Sequence, residues 1–232
     1  PHYKLWQDPV MNYWLDKLSE QIIQYDDIEN TKIFFIELPL LDTKKLNCIL
    51  EKNKFKYTAN KYNAEINLIE VTDAQIAKCP MKEGSHITRP TYYRLLTPSL
   101  LPQNINKVIY LDGDMIVKSR VRELWDINVN KYAIAGVVDH SFMLEEYYER
   151  MKYPKNHSYN YINAGVMIMN IDYWRKNNVS QRLFECLDTN TKILTWMDQD
   201  VINMTLRSEI LLLPLKYNIQ TLFFGKDLWD SF

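Results

Sequence analysis

Apolar strand-like runs alternate with helix-like segments from residue 65 onward, and this alternation limits the folds that the chain can adopt. Residues 107–111, 132–138 and 161–169 have the apolar content and the length of buried strands. Strands that alternate with helices form mostly parallel sheets, because the connecting helices pack on both faces. The sequence therefore predicts an α/β protein with a mostly parallel central sheet and helices on both faces.

Residues 1–58 differ from this pattern, and we predict that they form a separate N-terminal helix and linker, with a short strand candidate at residues 32–38. Asp8 followed by Pro9 is typical of a helix start, and apolar residues at helical spacing continue to residue 24. Residues 42–62 are rich in lysine and are expected to form a helix with a basic face. That face is either a solvated surface or a peripheral contact with an anionic membrane.

Composition excludes several classes of function. Lys and Arg together number 28 and Asp and Glu 29, so the chain lacks the positive excess that nucleic-acid binding needs. Its 5 glycines form neither of the common phosphate-binding loop motifs. No apolar run reaches the ~18 residues of a membrane span, and an odd number of scattered cysteines favours a reducing compartment. We therefore expect a cytoplasmic protein that has no transmembrane segment and binds no nucleic acid.

Helix boundaries can also be placed from the sequence. A helix beginning near Thr88 and Pro90 is expected to stop near Pro98, because proline lacks the amide hydrogen that a helix needs. Asp172 is expected to cap one helix that continues through Leu187, and Asp198 to cap another that ends near residue 206.

Two carboxylates follow the strand candidate at residues 107–111. Asp112 and Asp114 are separated by Gly113, which allows the backbone to turn sharply. In α/β sheets ligands bind beyond the carboxyl ends of the strands, and paired carboxylates there suit Mg²⁺ or Mn²⁺. The pattern predicts a metal site; the alternative is an ordinary turn, since Asp-x-Asp also arises by chance in chains of this length.

Three further segments place polar residues where a ligand could approach. Asn163-Ala164-Gly165 interrupts a strand candidate, as at a bulge or at a close backbone approach. Asp198-Gln199-Asp200 begins a helix candidate, where helix capping is by itself the better explanation of the acidic residues. Arg94 lies among apolar neighbours within a helix candidate, so it faces either solvent or a buried anion.

Taken together, these segments resemble glycosyltransferase family 8, and most closely its bacterial members that extend lipopolysaccharide and related surface glycans. The resemblance extends from about Ala59 to Phe232, which we therefore take as the catalytic domain. It rests on the order of the motifs as much as on each motif: Thr91-Tyr92-Tyr93-Arg94-Leu95, Tyr110-Leu111-Asp112-Gly113-Asp114, Asp139, Asn163-Ala164-Gly165 and Asp198-Gln199-Asp200.

The resemblance implies a Rossmann-like nucleotide-sugar fold of the GT-A type and a retaining transfer of glucose or galactose. The donor would be UDP-glucose or UDP-galactose, and the acceptor a glycan or glycolipid such as lipopolysaccharide. By the same resemblance, Asp112 and Asp114 hold Mn²⁺ or Mg²⁺ on the donor diphosphate, with Asp112 also near the ribose. Arg94 would reach the donor sugar or diphosphate.

The remaining site residues are implied to surround the sugar. Asp198 would orient the sugar hydroxyls, Asp139 would lie near the sugar and the acceptor, and Gln199 near the anomeric carbon. The sugar site would be lined by Asn163, Ala164 and Gly165.

Two parts of the family pattern do not occur at their usual places in these 232 residues. One is an opening strand with an Asp-x-x-Tyr-like segment, and the other is a C-terminal His-x-x-Gly-x-x-Lys-Pro-Trp pattern. We expect residues 1–58 to be the tail of a preceding copy or of a region that is missing from the sequence. The alternative function is a non-catalytic domain of this family that binds a glycan or a partner protein.

Overall fold

The computed structural model describes residues 32–37, 65–71, 76–77, 79–80, 89–113, 115–139, 149, 151 and 161–220. The helices predicted at residues 8–24 and 42–62, and Asp114, lie outside these residues. The described strands and α-helices are, in chain order, β1 (Lys32–Glu37), β2 (Glu65–Glu70), α1 (Tyr93–Leu100), β3 (Val108–Leu111), α2 (Arg122–Trp125), β4 (Ile134–Val138), β5 (Ile162–Met169), α3 (Ile171–Lys176), α4 (Val179–Asn190), α5 (Met197–Leu206) and β6 (Ile210–Leu213). These positions confirm the predicted strands to within two residues.

The chain divides into two compact units. The first comprises residues 1–78 together with 111–126, and the second comprises residues 79–110 together with 127–232. In the first unit, β1 and β2 pair in parallel, from Lys32 opposite Glu65 to Glu37 opposite Glu70. The Lys32 ammonium and, to a smaller extent, the Asn67 amide lower the pKa of the exposed Glu65 carboxyl.

The second unit is built on a sheet with the strand order β3-β5-β4-β6. β4 and β6 are parallel, whereas β4 and β5 are antiparallel, so the sheet is mixed within an α/β architecture. A register shift interrupts the β4–β5 pairing between Gly136 and Val138. A Cβ atom at Gly136 would lie 2.5 Å from Ile162 Cδ1, so a larger residue would fit there only if the buried side chain of Ile162 moved.

Helix α1 passes through Pro98 and ends two residues later than expected, at Leu100. Proline at this position cannot donate to the carbonyl of Arg94, which lies four residues earlier. The Thr97 hydroxyl donates to that carbonyl at 2.9 Å and replaces the missing bond. The local cost of the proline is thereby reduced, and the helix continues for a further half turn.

Arg175, on α3, holds the chain that leaves α1. Its guanidinium donates to the backbone carbonyls of five residues at 2.9–3.1 Å, namely Pro98, Leu101, Pro102, Gln103 and Ile105. Carbonyls at a helix C-terminus have no partners within the helix, and a cation is favourable there. Arg175 therefore fixes both the end of α1 and the segment that leads to β3.

The single helix predicted from Asp172 through Leu187 is wrong, because the chain forms two helices there. Asn178 has φ 49°, in the left-handed region, and separates α3 from α4. The capping residue is Asn170, whose side-chain oxygen accepts from the Tyr173 amide at 3.0 Å, whereas Asp172 pairs with Lys176 at 2.6 Å. Among the described helices, none combines the length and the apolar character that crossing a membrane requires.

Candidate functional site

Arg94 faces a buried anion, which resolves the alternatives left by its apolar sequence context. Its Nε lies 2.9 Å from Oδ2 of Asp198, and the two side chains are only 11% and 8% exposed. Its Nη1 donates to the Ala164 carbonyl at 2.7 Å, and its guanidinium carbon lies 4.6 Å from the centroid of the Tyr110 ring. The guanidinium thus connects α1 to β5 and α5 while its charge is compensated.

Asp139, directly after β4, is the acceptor at the centre of an amide network. Its Oδ2 accepts from Asn163 Nδ2 and from Gln199 Nε2, both at 3.0 Å. The residue is 4% exposed, and its own amide donates to the Tyr161 carbonyl at 2.8 Å. Buried carboxylates require such donors.

The side-chain amide of Gln199 has one orientation that fits its neighbours. Its Oε1 accepts from the Ala164 amide at 2.9 Å, while its Nε2 faces Asp139 Oδ2. A flipped amide would place its nitrogen against an N–H donor and its oxygen against a carboxylate. The side-chain carbonyl of Gln199 is therefore held against the Ala164 amide of β5.

The side-chain amide of Asn163 is also held in one orientation by its neighbours. Its Oδ1 accepts from the Gly165 amide at 3.0 Å and from Asn218 Nδ2 at 2.9 Å, which turns its Nδ2 toward Asp139. Asn218 is buried and follows β6. Sequence reasoning missed it, because it lies 55 positions from Asn163 in a segment without a recognisable motif.

The expectation that Asp198 caps α5 is wrong. The residue before the helix is Trp196, which makes no side-chain capping bond, and Met197 has φ 33°. The Asp198 carboxylate pairs with Arg94, and it is Asp200 Oδ2 that accepts the backbone amides of Thr195 and Trp196. The turn into α5 is thus stabilised from inside the helix, and the carboxylate of Asp198 faces the guanidinium.

The described residues around the network also include Tyr92, whose hydroxyl donates to the Pro80 carbonyl at 2.7 Å. Burial, followed by electrostatic interactions with Cys79 and Asp198, raises the pKa of this phenol well above its ordinary value. Tyr92 therefore remains protonated and acts as a donor.

The predicted metal ligands are described only in part. Asp112 follows β3 in the first unit and is partly exposed, whereas Asp114 lies outside the described residues. Within the described ranges, no group of three His, Cys, Asp or Glu residues could hold a metal ion. The second unit brings together the other predicted site residues: Arg94, Asp139, Asn163, Ala164, Gly165, Asp198 and Gln199.

Comparison with known proteins gives a family match. The sequence model of glycosyl transferase family 8 matches residues 20–231. The chain is 30% identical over 174 residues to general stress protein A of Bacillus subtilis, covering 73% of this chain and 58% of that protein. It is 29% identical over 164 residues to a lipopolysaccharide 1,2-glucosyltransferase of Escherichia coli, covering 69% of this chain and 47% of that protein.

The fold matches that of a solved glycosyltransferase. Galactosyltransferase LgtC, in complex with donor and acceptor sugar analogues, superposes with a TM-score of 0.73 at 22% identity. The match covers 90% of this chain and 72% of that structure. This likeness confirms the α/β fold of the GT-A type. The chain thus matches only about half to three fifths of the length of general stress protein A and of the lipopolysaccharide glucosyltransferase.

Proposed function

Since this chain belongs to glycosyltransferase family 8, we propose that it transfers glucose or galactose from a UDP-sugar to a glycan or glycolipid acceptor such as lipopolysaccharide. The observation that carries the proposal is the buried network in which Asp139 accepts from Asn163 and Gln199. The names of two similar proteins agree with it, since one is a lipopolysaccharide glucosyltransferase and the other a galactosyltransferase.

The network suits recognition of a hexose. A carboxylate has about four lone-pair sites, and two of those on Asp139 are used by the amides of Asn163 and Gln199. Carboxylates such as those of Asp139 and Asp198 suit the recognition of sugar hydroxyls, because a carboxylate accepts the hydrogen bonds that hydroxyls donate. Because these carboxylates are already held by other side chains, little entropy is lost when a sugar binds. Arg94 contributes further N–H donors toward the donor sugar or its diphosphate.

Gln199 is suited to act at the anomeric carbon. Its carbonyl uses one lone pair on the Ala164 amide, and the other can stabilise positive charge on an oxocarbenium-like centre. An amide is a poor nucleophile, so we propose that no covalent intermediate forms on Gln199. The acceptor hydroxyl attacks from the face that the diphosphate leaves, its proton passes to the departing phosphate, and the configuration is retained.

A divalent ion, Mn²⁺ or Mg²⁺, is proposed to bind to Asp112 and Asp114. Asp112 fits this role because it supplies hard oxygen ligands and is partly exposed, which leaves room for the waters that such ions keep. When bound, the ion supplies positive charge that stabilises the diphosphate as it leaves. We further propose that the protein acts in the cytoplasm, where residues 42–62 could contact an anionic membrane surface.

Calorimetric titration of UDP into the full-length protein tests the donor site. We expect binding that requires Mn²⁺, is lost in Asp112→Ala and is retained in Asp126→Ala. Asp126 is a matched control, since it pairs with Arg122 on the surface of the same unit. No binding of UDP with any divalent ion would contradict the proposal.

Assays with radiolabelled UDP-glucose and UDP-galactose then test the transfer itself. Release of UDP with either donor supports an enzyme and identifies the hexose. Binding of UDP without hydrolysis or transfer would instead favour the non-catalytic glycan-binding or partner-binding domain.

A further inference from the structure

Two buried side chains of α5, Asp200 and Asn203, connect this helix to the beginning of β5. Both are fully buried. Asp200 Oδ1 accepts from the Tyr161 hydroxyl at 2.7 Å, and its Oδ2 accepts from the amides of Thr195 and Trp196 at 2.5 and 2.9 Å. One carboxylate thereby joins the turn that enters α5 to the residue that precedes β5.

Asn203 makes the second connection. Its Oδ1 accepts from the Ile162 amide at 2.7 Å, and its Nδ2 donates to the Ile162 carbonyl at 2.9 Å. The same Nδ2 donates to the backbone carbonyl of Gln199 at 2.8 Å. Because both backbone groups of Ile162 are bound by one side chain, the helix cannot slide along the strand without losing two buried hydrogen bonds.

The register between α5 and β5 decides where the side chain of Gln199 lies. Gln199 stands one residue before Asp200 on the helix, and Ala164 stands two residues after Ile162 on the strand. The Gln199 side chain bridges the Ala164 amide and Asp139 at 2.9 and 3.0 Å, so a small shift of the helix breaks both bonds.

We propose that Asp200 and Asn203 form a polar clamp that positions Gln199, so that both are positioning residues for sugar transfer without touching the sugar. The expected effect on catalysis rests on the function proposed above, whereas the positioning of Gln199 by these contacts does not. The polar clamp explains the third residue of Asp198-Gln199-Asp200, for which the sequence offered only a helix-capping role. It also accounts for two of the three buried polar side chains of this helix, the third being Asp198, which pairs with Arg94.

Asp200 variants test whether hydrogen-bond geometry is what matters. In Asp200→Asn, the amide oxygen can accept from the two backbone amides while its nitrogen donates to the Tyr161 hydroxyl, which can also act as an acceptor. We expect kcat of Asp200→Asn to stay within about threefold of the wild type and kcat of Asp200→Ala to fall by roughly 100-fold. The KM for the donor should change little in either, because the groups expected to bind the sugar remain. Equal losses in both variants would show that the charge itself is needed and would overturn the proposal.

Asn203→Leu tests the second connection with a side chain of similar size that has no polar atoms. Hydrogen–deuterium exchange of the full-length protein, resolved to single amides, should show faster exchange at Ile162 and also at Ala164. The Ala164 amide reports the position of Gln199, because it donates to Gln199 Oε1 and not to Asn203. This readout needs no activity, so the positioning is tested even if the wild type transfers no sugar and the proposed function fails.

Leu183→Ala is the matched control, since Leu183 is fully buried on α4 and its loss destabilises the second unit without removing a clamp bond. When it is compared with Asn203→Leu at an equal decrease in Tm, Leu183→Ala should retain the wild-type kcat. The Ala164 amide should also remain protected from hydrogen–deuterium exchange. The proposal is overturned if Leu183→Ala lowers kcat as much as Asn203→Leu does. It is overturned equally if Ala164 keeps its protection in Asn203→Leu.

Discussion

Arg94 and Asp198 form an ion pair with an Nε–Oδ2 distance of 2.9 Å, each at the beginning of a helix and each about nine-tenths buried. A pair in this position is preorganised, since neither charge has to find its partner when a ligand arrives. The fold also depends on the presence of both members of the pair. A buried charge that loses its partner is strongly destabilising, whereas the intact pair adds little net stability.

Arg94→Met should therefore lower the free energy of unfolding by about 3 to 5 kcal/mol, because the Asp198 carboxylate is left without its guanidinium. Urea unfolding measures this change. Arg122→Met is the control, since Arg122 pairs with Asp126 at 3.0 Å while both side chains are more than half exposed. Its effect should stay below about 0.5 kcal/mol, and similar losses in the two variants would contradict the buried-pair argument.

Gln199→Ala should reduce kcat by roughly 100-fold with little change in the KM for the donor sugar. The variant removes the carbonyl that we place at the anomeric carbon, an interaction that matters most in the transition state. Steady-state kinetics with the preferred UDP-sugar measure both constants. Gln181→Ala is a suitable control, because Gln181 is exposed on α4 and bonds to Glu185. A Gln199→Ala enzyme with wild-type kcat would remove Gln199 from the mechanism.

Asn218→Ala should raise the Kd for the donor sugar by roughly tenfold. Loss of one donor to Asn163 Oδ1 costs about 1 to 2 kcal/mol and allows the Asn163 amide to turn away from Asp139. Binding of the donor can be followed by calorimetry. Asn177→Ala, which changes an exposed amide bonded within its own helix, should bind the donor like the wild type. Unchanged binding in Asn218→Ala would mean that Gly165 alone fixes Asn163.

Arg175→Met should destabilise the second unit by roughly 3 kcal/mol, since it leaves several partly buried carbonyls without their cationic donor. Lys176→Met changes the neighbouring cation, which makes an exposed pair with Asp172. That control should shift the urea midpoint very little. The prediction fails if the two variants unfold at the same urea concentration.

Tyr92→Phe should change how stability depends on alkaline pH. The pKa of Tyr92 is raised in the folded protein, so above pH ~10 the unfolded chain loses a proton that the folded chain retains. The stability that Tyr92 contributes is present below pH ~10 and decreases as the pH rises toward the folded value. Urea unfolding between pH 8 and 11 (about the range in which phenols begin to ionise) should show a shallower decrease for Tyr92→Phe. Parallel profiles for wild type and Tyr92→Phe would contradict the assignment.

The strands could be predicted from the sequence because their burial leaves a direct signal. β5 is buried along nearly its whole length, so it appears as an apolar run that only Asn163 and Gly165 interrupt. Helix limits were less predictable, because several residues compete to cap a helix. Asn170 caps α3 in place of Asp172, and Thr97 allows α1 to continue past Pro98.

The candidate site was predictable where a motif marks it and unpredictable where only the fold brings residues together. Arg94, Asn163 and Gln199 stand in recognisable segments, and the structure joins them within one network. Asn203 and Asn218 do not stand in a recognisable motif. Their roles depend on contacts with β5 that are 41 and 55 positions away in the chain.

The anchor at Arg175 also bears on how this part of the chain can change over generations. Arg175 binds main-chain oxygens, which every amino acid provides, so this contact does not restrict the side chains of the anchored segment, in which Leu101 is held by its own burial. Substitutions at exposed positions such as Gln103 and Asn104 should therefore be accepted freely, while Arg175 itself is not replaceable by lysine, which lacks the planar fork. Variation of the side chains in the segment and retention of Arg175 therefore both follow from the contact of its guanidinium with the main chain.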